Sequence, residues 1–116
     1  MAEKNDIVNP LDGYDKLFES RVRLEIMSVL SVNDEYEYTG LKSLLGLTDG
    51  NLTSHLRSLE SAGYITYRKQ FIGRKPNTVY MATDLGLDAF KNHLNALESL
   101  YKSINGNNML IQLILL

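Results

Sequence analysis

Apolar residues along this chain fall into helical spacing in four stretches, interrupted once by a run built differently. In the first stretch Phe18, Val22, Ile26, Val29 and Leu30 share one face at i, i+4, i+8, i+11 and i+12. Leu17, Leu24 and Met27 line a neighbouring face. A helix apolar on two sides is predicted to be central to its domain. It should stop near Val32, because Asn33-Asp34 is a turn signal. Tyr36-Glu37-Tyr38 predicts a short strand, and Thr39 an N-cap for a brief helix carrying Leu41, Leu44 and Leu45. Gly46 ends that helix, since glycine tolerates the left-handed conformation at a helix C-terminus. Only Leu47 separates this glycine from the next cap, Thr48, so the two flanking helices must pack at a steep angle.

That tight junction is a helix-turn-helix signature. The second of the two helices runs from about Asp49 to Ala62, with Leu52, Leu56 and Leu59 as a narrow apolar stripe. On a wheel of ~100° per residue the opposite face holds Gly50, Ser54, Arg57, Ser58 and Ser61, flanked by Asn51 and Thr53. An ordinary solvent face would carry Glu and Lys, which favour helix and solubility. Small hydroxyl and amide residues with one Arg are what close approach to a DNA groove requires, although the same residues would also serve as a plain surface. Gly63 ends the helix, and two strands follow, near residues 64–71 and 77–83, rich in aromatic and β-branched side chains. Between them Ile72-Gly73-Arg74-Lys75-Pro76 predicts a hairpin tip bearing two adjacent cations. Such a tip, directly after a helix-turn-helix, reads as a wing reaching for phosphate or the minor groove.

Thr83-Asp84 caps a long last helix to about Ile104. Phe90, Leu94, Leu97, Tyr101 and Ile104 repeat at 4-3-4-3 spacing, and Leu100 widens the stripe. This is the pattern of a helix-packing seam, here assigned to a dimer, although an intramolecular core helix would show it too. Gly106-Asn107-Asn108 breaks the helix, and the apolar tail at 109–116 needs cover from a partner or from the last helix. The expected organisation is a mobile arm at 1–10, a DNA-binding domain at 11–83, and a dimerisation helix with apolar tail at 84–116.

Charge sharpens the picture. The net charge of −2 is not that of a nucleic-acid binder. Residues 50–83, however, carry Arg57, Arg68, Lys69, Arg74 and Lys75 against Glu60 alone, a net +4 that leaves −6 elsewhere. A basic face on an acidic body follows, and it brings Arg68 into the candidate contact set. The chain has no cysteine, and His55 and His93 lie on different helices, so no metal site and no cofactor are expected. No signal peptide or membrane span is legible, which predicts a soluble, cytoplasmic protein.

Taken together, these residues resemble a known family. The run Leu47-Thr48-Asp49-Gly50-Asn51-Leu52-Thr53-Ser54-His55-Leu56-Arg57-Ser58-Leu59-Glu60-Ser61-Ala62-Gly63-Tyr64-Ile65 is similar to the recognition-helix segment of MarR-like and ArsR-like winged helix-turn-helix regulators. Gly73-Arg74-Lys75-Pro76-Asn77-Thr78-Val79-Tyr80 resembles the wing of their compact stand-alone branch, and Ser20-Arg21-Val22-Arg23-Leu24-Glu25-Ile26-Met27 the first helix. The resemblance implies a mainly α fold with a small β-hairpin wing and a long C-terminal dimerisation helix. It implies a dimeric transcription factor whose segment after Thr48 enters the major groove. Asn51, Thr53, Ser54 and His55 would then contact base or phosphate beside Arg57, with Gly50 and Ser58 on the same face, and Arg74 and Lys75 at the wing tip. The wheel agrees for Ser54 and Arg57 but puts His55 nearer the core edge. Such regulators often continue into Thr-Asp-Glu-Gly-Arg. Here the corner is Thr83-Asp84-Leu85-Gly86-Leu87, which lacks the charged pair that would contact the DNA backbone.

The sequence therefore predicts a sequence-specific double-stranded DNA binder, acting as a homodimeric regulator with repression the expected sign. A winged helix that binds an acidic protein surface is the alternative, against which the scarcity of acids on the contact face counts. An enzyme would need a nucleophile with its base, paired carboxylates or a phosphate loop, and none is legible. Nothing in the sequence supports a small-molecule effector.

Overall fold

The structure, a computed structural model, describes residues 9–105. Residues 1–8 of the expected arm at 1–10, the helix break at 106–108 and the tail at 109–116 lie outside the described residues. The described residues form two compact units, one of residues 15–90 and one that joins residues 9–14 to residues 91–105.

The first unit opens on a single 3-10 turn, Lys16–Glu19, whose cap Asp15 accepts a hydrogen bond from the Leu17 amide at 2.9 Å. Helix α1 is Arg21–Val32. Phe18 therefore does not continue the α1 face as its spacing suggests. Ser20 is extended and its Oγ accepts from the Arg23 amide, which starts a new helix there. Phe18 is buried all the same, stacked on Tyr64 and edge-on to Phe90 with ring centroids 5.6 and 5.4 Å away.

Strand β1 is Tyr36–Glu37 and helix α2 is Tyr38–Leu45. The cap expected at Thr39 is absent, because the helix begins at Tyr38, two residues before the Gly40 start that cap implies, and Glu37 sits at the N-cap without a side-chain hydrogen bond. Gly46 takes the left-handed conformation at φ 64°, and the Leu47 amide closes back onto the Lys42 carbonyl at 3.0 Å. Helix α3, Asp49–Ser61, follows at once, with Thr48 Oγ1 accepting from the Asn51 amide. Ile26, Met27 and Leu30 of α1, Leu41 of α2, and Leu52, Leu56 and Leu59 of α3 make one core with Phe18, Ile65 and Phe90. Each fully buried aliphatic side chain of this kind contributes about 1.5–3 kcal/mol.

Strands β2, Ile65–Ile72, and β3, Lys75–Ala82, form an antiparallel hairpin, and β1 pairs with the far edge of β3 to give the order β1-β3-β2. Both hairpin strands run closer to the tip than their composition suggests, and the turn is only Gly73-Arg74. Gly73 has φ 63° while Arg74, like every described non-glycine residue, does not have positive φ, the signs of a type II′ turn. Pro76 thus sits inside β3, the middle strand. Strand β1 reaches only Val79 and Tyr80, so Pro76 lies where β3 has no second neighbour to lose.

Helix α4 is Asp84–Asn105. Its start is latched to the α3–β2 corner. The Thr83 amide donates to the Tyr64 carbonyl, the Thr83 hydroxyl donates to the Gly63 carbonyl, and Thr83 Oγ1 accepts from the Gly86 amide. A Cβ at Gly86 would lie 2.0 Å from the Tyr64 carbonyl oxygen, so only glycine permits this approach. Among the described residues the fold is mainly α, with four α-helices, the last of them long, and a three-stranded antiparallel sheet, as a winged helix requires.

In the second unit His93 and Ala96 are buried, and the ring of His93 packs against Tyr14 at 4.6 Å.

Candidate nucleic-acid interface

Helix α3 turns its leucine stripe inward and leaves Gly50, Asn51, Ser54 and Arg57 exposed, with Thr53, His55 and Ser58 half-buried. Three of these groups have work within the fold. Thr53 Oγ1 is 3.1 Å from the Tyr38 hydroxyl, and the Ser58 hydroxyl donates to the Ser54 carbonyl at 3.2 Å. His55 Nδ1 is 3.0 Å from an Arg23 guanidinium nitrogen, while Arg23 Nε donates to the Leu17 carbonyl. A guanidinium has donors only, so Nδ1 is the acceptor and the ring proton belongs on Nε2. Burial, and then the Arg23 charge, hold the His55 pKa below its ordinary 6.5.

The first turn of α3 is fixed from below. The Tyr38 hydroxyl donates to the Asp49 carboxylate at 3.0 Å and also touches Thr53, and Lys42 pairs with the same carboxylate at 3.1 Å. The Lys42 contact, then that of Tyr38, lowers the Asp49 pKa. This cluster ties α2 to the exposed end of α3. Sequence reasoning missed it, since nothing local links Tyr38 or Lys42 to a residue in the next helix.

Between α3 and the hairpin runs a groove of about 210 Å³. Thr53, Arg57 and Glu60 form one wall, and Tyr67, Lys69, Thr78 and Tyr80 the other. Burial, first of all, raises the pKa of the Tyr80 phenol in that wall. Lys69 belongs to the wall, although composition alone gave it no position. Arg74 and Lys75 stand exposed at the hairpin tip. Among the described residues no carboxylate pairs with Arg57, Lys69, Arg74 or Lys75.

Arg68 is placed differently. Register puts it opposite Val79, on the other face of the hairpin from Lys69. Its guanidinium meets Glu35 at 3.0 Å and Gln70 at 3.0 Å. It is not brought together with the other cations. Phe90 also departs from its expected place: it is 5% exposed and belongs to the core of the first unit. A phenylalanine locked edge-on to Phe18 has no surface left for a partner. Leu94, Leu97, Tyr101 and Ile104 are between 38% and 68% exposed, and Leu100 is half-buried.

Two helices joined by a glycine turn, the second presenting a small polar face beside a basic hairpin, define a winged helix-turn-helix. The chain belongs to the winged helix DNA-binding domain family, which it matches over residues 22–101. It is 38% identical over 89 residues to the uncharacterized protein MJ0432 of Methanocaldococcus jannaschii, spanning 77% of this chain and 97% of that protein. The structure of a transcriptional regulator homologue from Pyrococcus horikoshii OT3 superposes with a TM-score of 0.71 at 32% identity, covering 77% of this chain and 88% of the other. YusO of Bacillus subtilis shares the fold, with a TM-score of 0.73 at 14% identity over 92% of this chain and 78% of its own. Transcriptional regulator Tm0710 of Thermotoga maritima also shares the fold, with a TM-score of 0.63 at 18% identity over 76% of this chain and 61% of its own.

Proposed function

We propose that the protein is a dimeric, sequence-specific double-stranded DNA-binding regulator that represses transcription. Helix α3 enters the major groove, and the wing lies on the phosphate backbone or the minor groove. The observation that carries this reading is the groove between α3 and the hairpin, whose cations Arg57 and Lys69 have no carboxylate partner among the described residues, on a hairpin that exposes Arg74 and Lys75 at its tip. Asn51 and Ser54 would offer adaptable hydrogen bonds to base edges, and Arg57 a guanine or phosphate contact. Thr53, His55 and Ser58 would contribute what their internal bonds leave over, the Nε2–H of His55 among them. Gly50 would let the α3 backbone approach the DNA closely. Arg68, paired with Glu35, is assigned no contact. The description of the Pyrococcus protein as a transcriptional regulator homologue supports the reading.

Dimerisation is proposed through Leu94, Leu97, Leu100, Tyr101 and Ile104 of α4. A row of large apolar side chains at 4-3 spacing, left open to water, suits a second copy of the same helix. Two recognition helices would then meet half-sites about one helical turn apart. No helix among the described residues is long and apolar enough to cross a membrane, and a cytoplasmic location is part of the same proposal. No catalytic role is assigned.

Fluorescence anisotropy against a random-sequence duplex over a salt series tests the reading, with Arg74→Ala/Lys75→Ala alongside. Binding that weakens steeply with salt, and less steeply in the double variant, is the expected result. No binding at low salt would redirect the search to an acidic protein partner.

A further inference from the structure

The wing tip carries a feature that phosphate binding alone does not need. Phe71 is 72% exposed and Ile72 is 59% exposed, two large apolar side chains adjacent at the end of a hairpin. Register pairs Phe71 with Pro76 and Ile72 with Lys75 across the two-residue turn. Successive residues of a strand face opposite ways, so the tip is apolar on both faces, with Phe71 and Pro76 on one and Ile72 on the other. Phe71 also continues a row. Tyr67 and Lys69 on β2, and Thr78 and Tyr80 on β3, line the groove beside α3, and Phe71 and Pro76 extend the same face outward. No atom lies within 4 Å of where a Gly73 Cβ would stand, so the tip is clear of the body.

Charge selects the occupant. Lys69, Arg74 and Lys75 surround the apolar pair, and residues 61–83 contain neither Asp nor Glu. A surface that joins exposed cations to a narrow apolar point fits a partner that is anionic outside and stacked and apolar within, which is a nucleic-acid duplex. We infer that Phe71 and Ile72 form an apolar wedge that enters the minor groove and partly unstacks one base step, bending the DNA, while Arg74 and Lys75 hold the flanking phosphates. Side chains of these two types unstack steps in this way elsewhere. Flexible pyrimidine–purine steps yield most readily, so the wedge selects sequence by deformability at a position where no base edge is read. This inference rests on the DNA-binding reading above.

The test uses the full chain and two short duplexes, identical except that one carries a single T·T mismatch at its centre, where stacking is already weakened. Wild-type protein is expected to bind the mismatched duplex about tenfold more tightly, having less unstacking to do. A 2-aminopurine beside that position should brighten on binding. Phe71→Ser/Ile72→Ser should lose both the preference and the brightening but keep the salt slope. Arg74→Ala/Lys75→Ala should keep the preference with a shallower slope. Both substituted sites are exposed, and unchanged thermal melts would confirm folding. Equal affinity for the two duplexes in wild type, with a normal salt slope, overturns the wedge and leaves the DNA-binding reading standing. Failure to bind either duplex at low salt removes that reading and the wedge with it. If the serine variant differs from wild type only in self-association or in binding to anionic lipid vesicles, the wedge is overturned in favour of that partner.

Discussion

Arg23 of α1 and His55 of α3, 32 positions apart, are joined by a 3.0 Å contact from guanidinium to ring Nδ1, so the orientation of a half-buried histidine of α3 is set by the first helix. Folding here favours the neutral ring. The unfolded chain takes up a proton near the ordinary value of 6.5, the folded protein only below it. The stability this contact contributes is therefore present above pH 6.5 and lost as pH falls through the folded value. An NMR titration should place the His55 ring below 6.5. The stability difference between wild type and His55→Gln should shrink as pH is lowered from about 8 to about 5.

Asp49 is an acid at the end of α3 that the proposed docking turns toward DNA, and Lys42 pairs with it at 3.1 Å. Lys42→Ala is expected to weaken DNA binding about three- to tenfold by exposing that charge to phosphate. Lys42→Ala/Asp49→Asn should recover most of the loss. The four proteins form a double-mutant cycle readable by anisotropy, and additive effects would show that the pair does not act as a unit.

Gly86→Ala places a methyl group against the Tyr64 carbonyl oxygen, backbone against backbone. Denaturant unfolding should show a loss of about 3 kcal/mol or more, at the severe end for single substitutions. Gly50→Ala is the counterpart. Nothing lies within 4 Å of its Cβ position and its φ is helical, so stability should rise by up to about 1 kcal/mol. DNA affinity should nevertheless fall, if that backbone approaches the groove as proposed.

The cations divide by how they are paired. Arg57→Ala should cost about 1–3 kcal/mol of binding and relax sequence preference. Arg74→Ala/Lys75→Ala should weaken all sequences alike and reduce the salt slope by about two. Arg68→Ala should leave binding nearly unchanged, because its partner is Glu35. A strong effect of Arg68→Ala in competition assays would mean that the guanidinium releases Glu35 on the DNA.

Along α4, Leu97→Glu should shift the protein to monomer in sedimentation and weaken DNA binding with it. Phe90→Ala should act differently, unfolding the core by about 3–5 kcal/mol, since Phe90 packs on Phe18.

The sequence showed most of the helices and the turn chemistry because those depend on neighbours in the chain. Thr48 as a cap, Gly46 as a left-handed stop and Gly73 as a turn former each act within a few residues. Ser20 was harder to read: the Phe18–Val22–Ile26 spacing looks continuous, and only the serine's bond to the Arg23 amide reveals a new start. The 4-3 repeat on α4 could not tell Phe90 from Leu94, because periodicity gives a face and not what covers it. The charge count likewise placed Arg68 with Lys69, although one-residue alternation along a strand puts them on opposite sides of the hairpin. Contacts such as Arg23 with His55 and Lys42 with Asp49 exist only once helices cross, so no local pattern announces them.

The sheet changes width along its length. At Val79 and Tyr80 it is three strands across; beyond them, toward Gly73, it is a two-stranded ribbon. A ribbon without a third strand is marginally stable by itself, so amide exchange should be slow at the base and quicken outward. The hairpin is thus stiff where it joins the helices and compliant where it would meet a partner. Its angle can follow grooves of differing width without disturbing the core beneath.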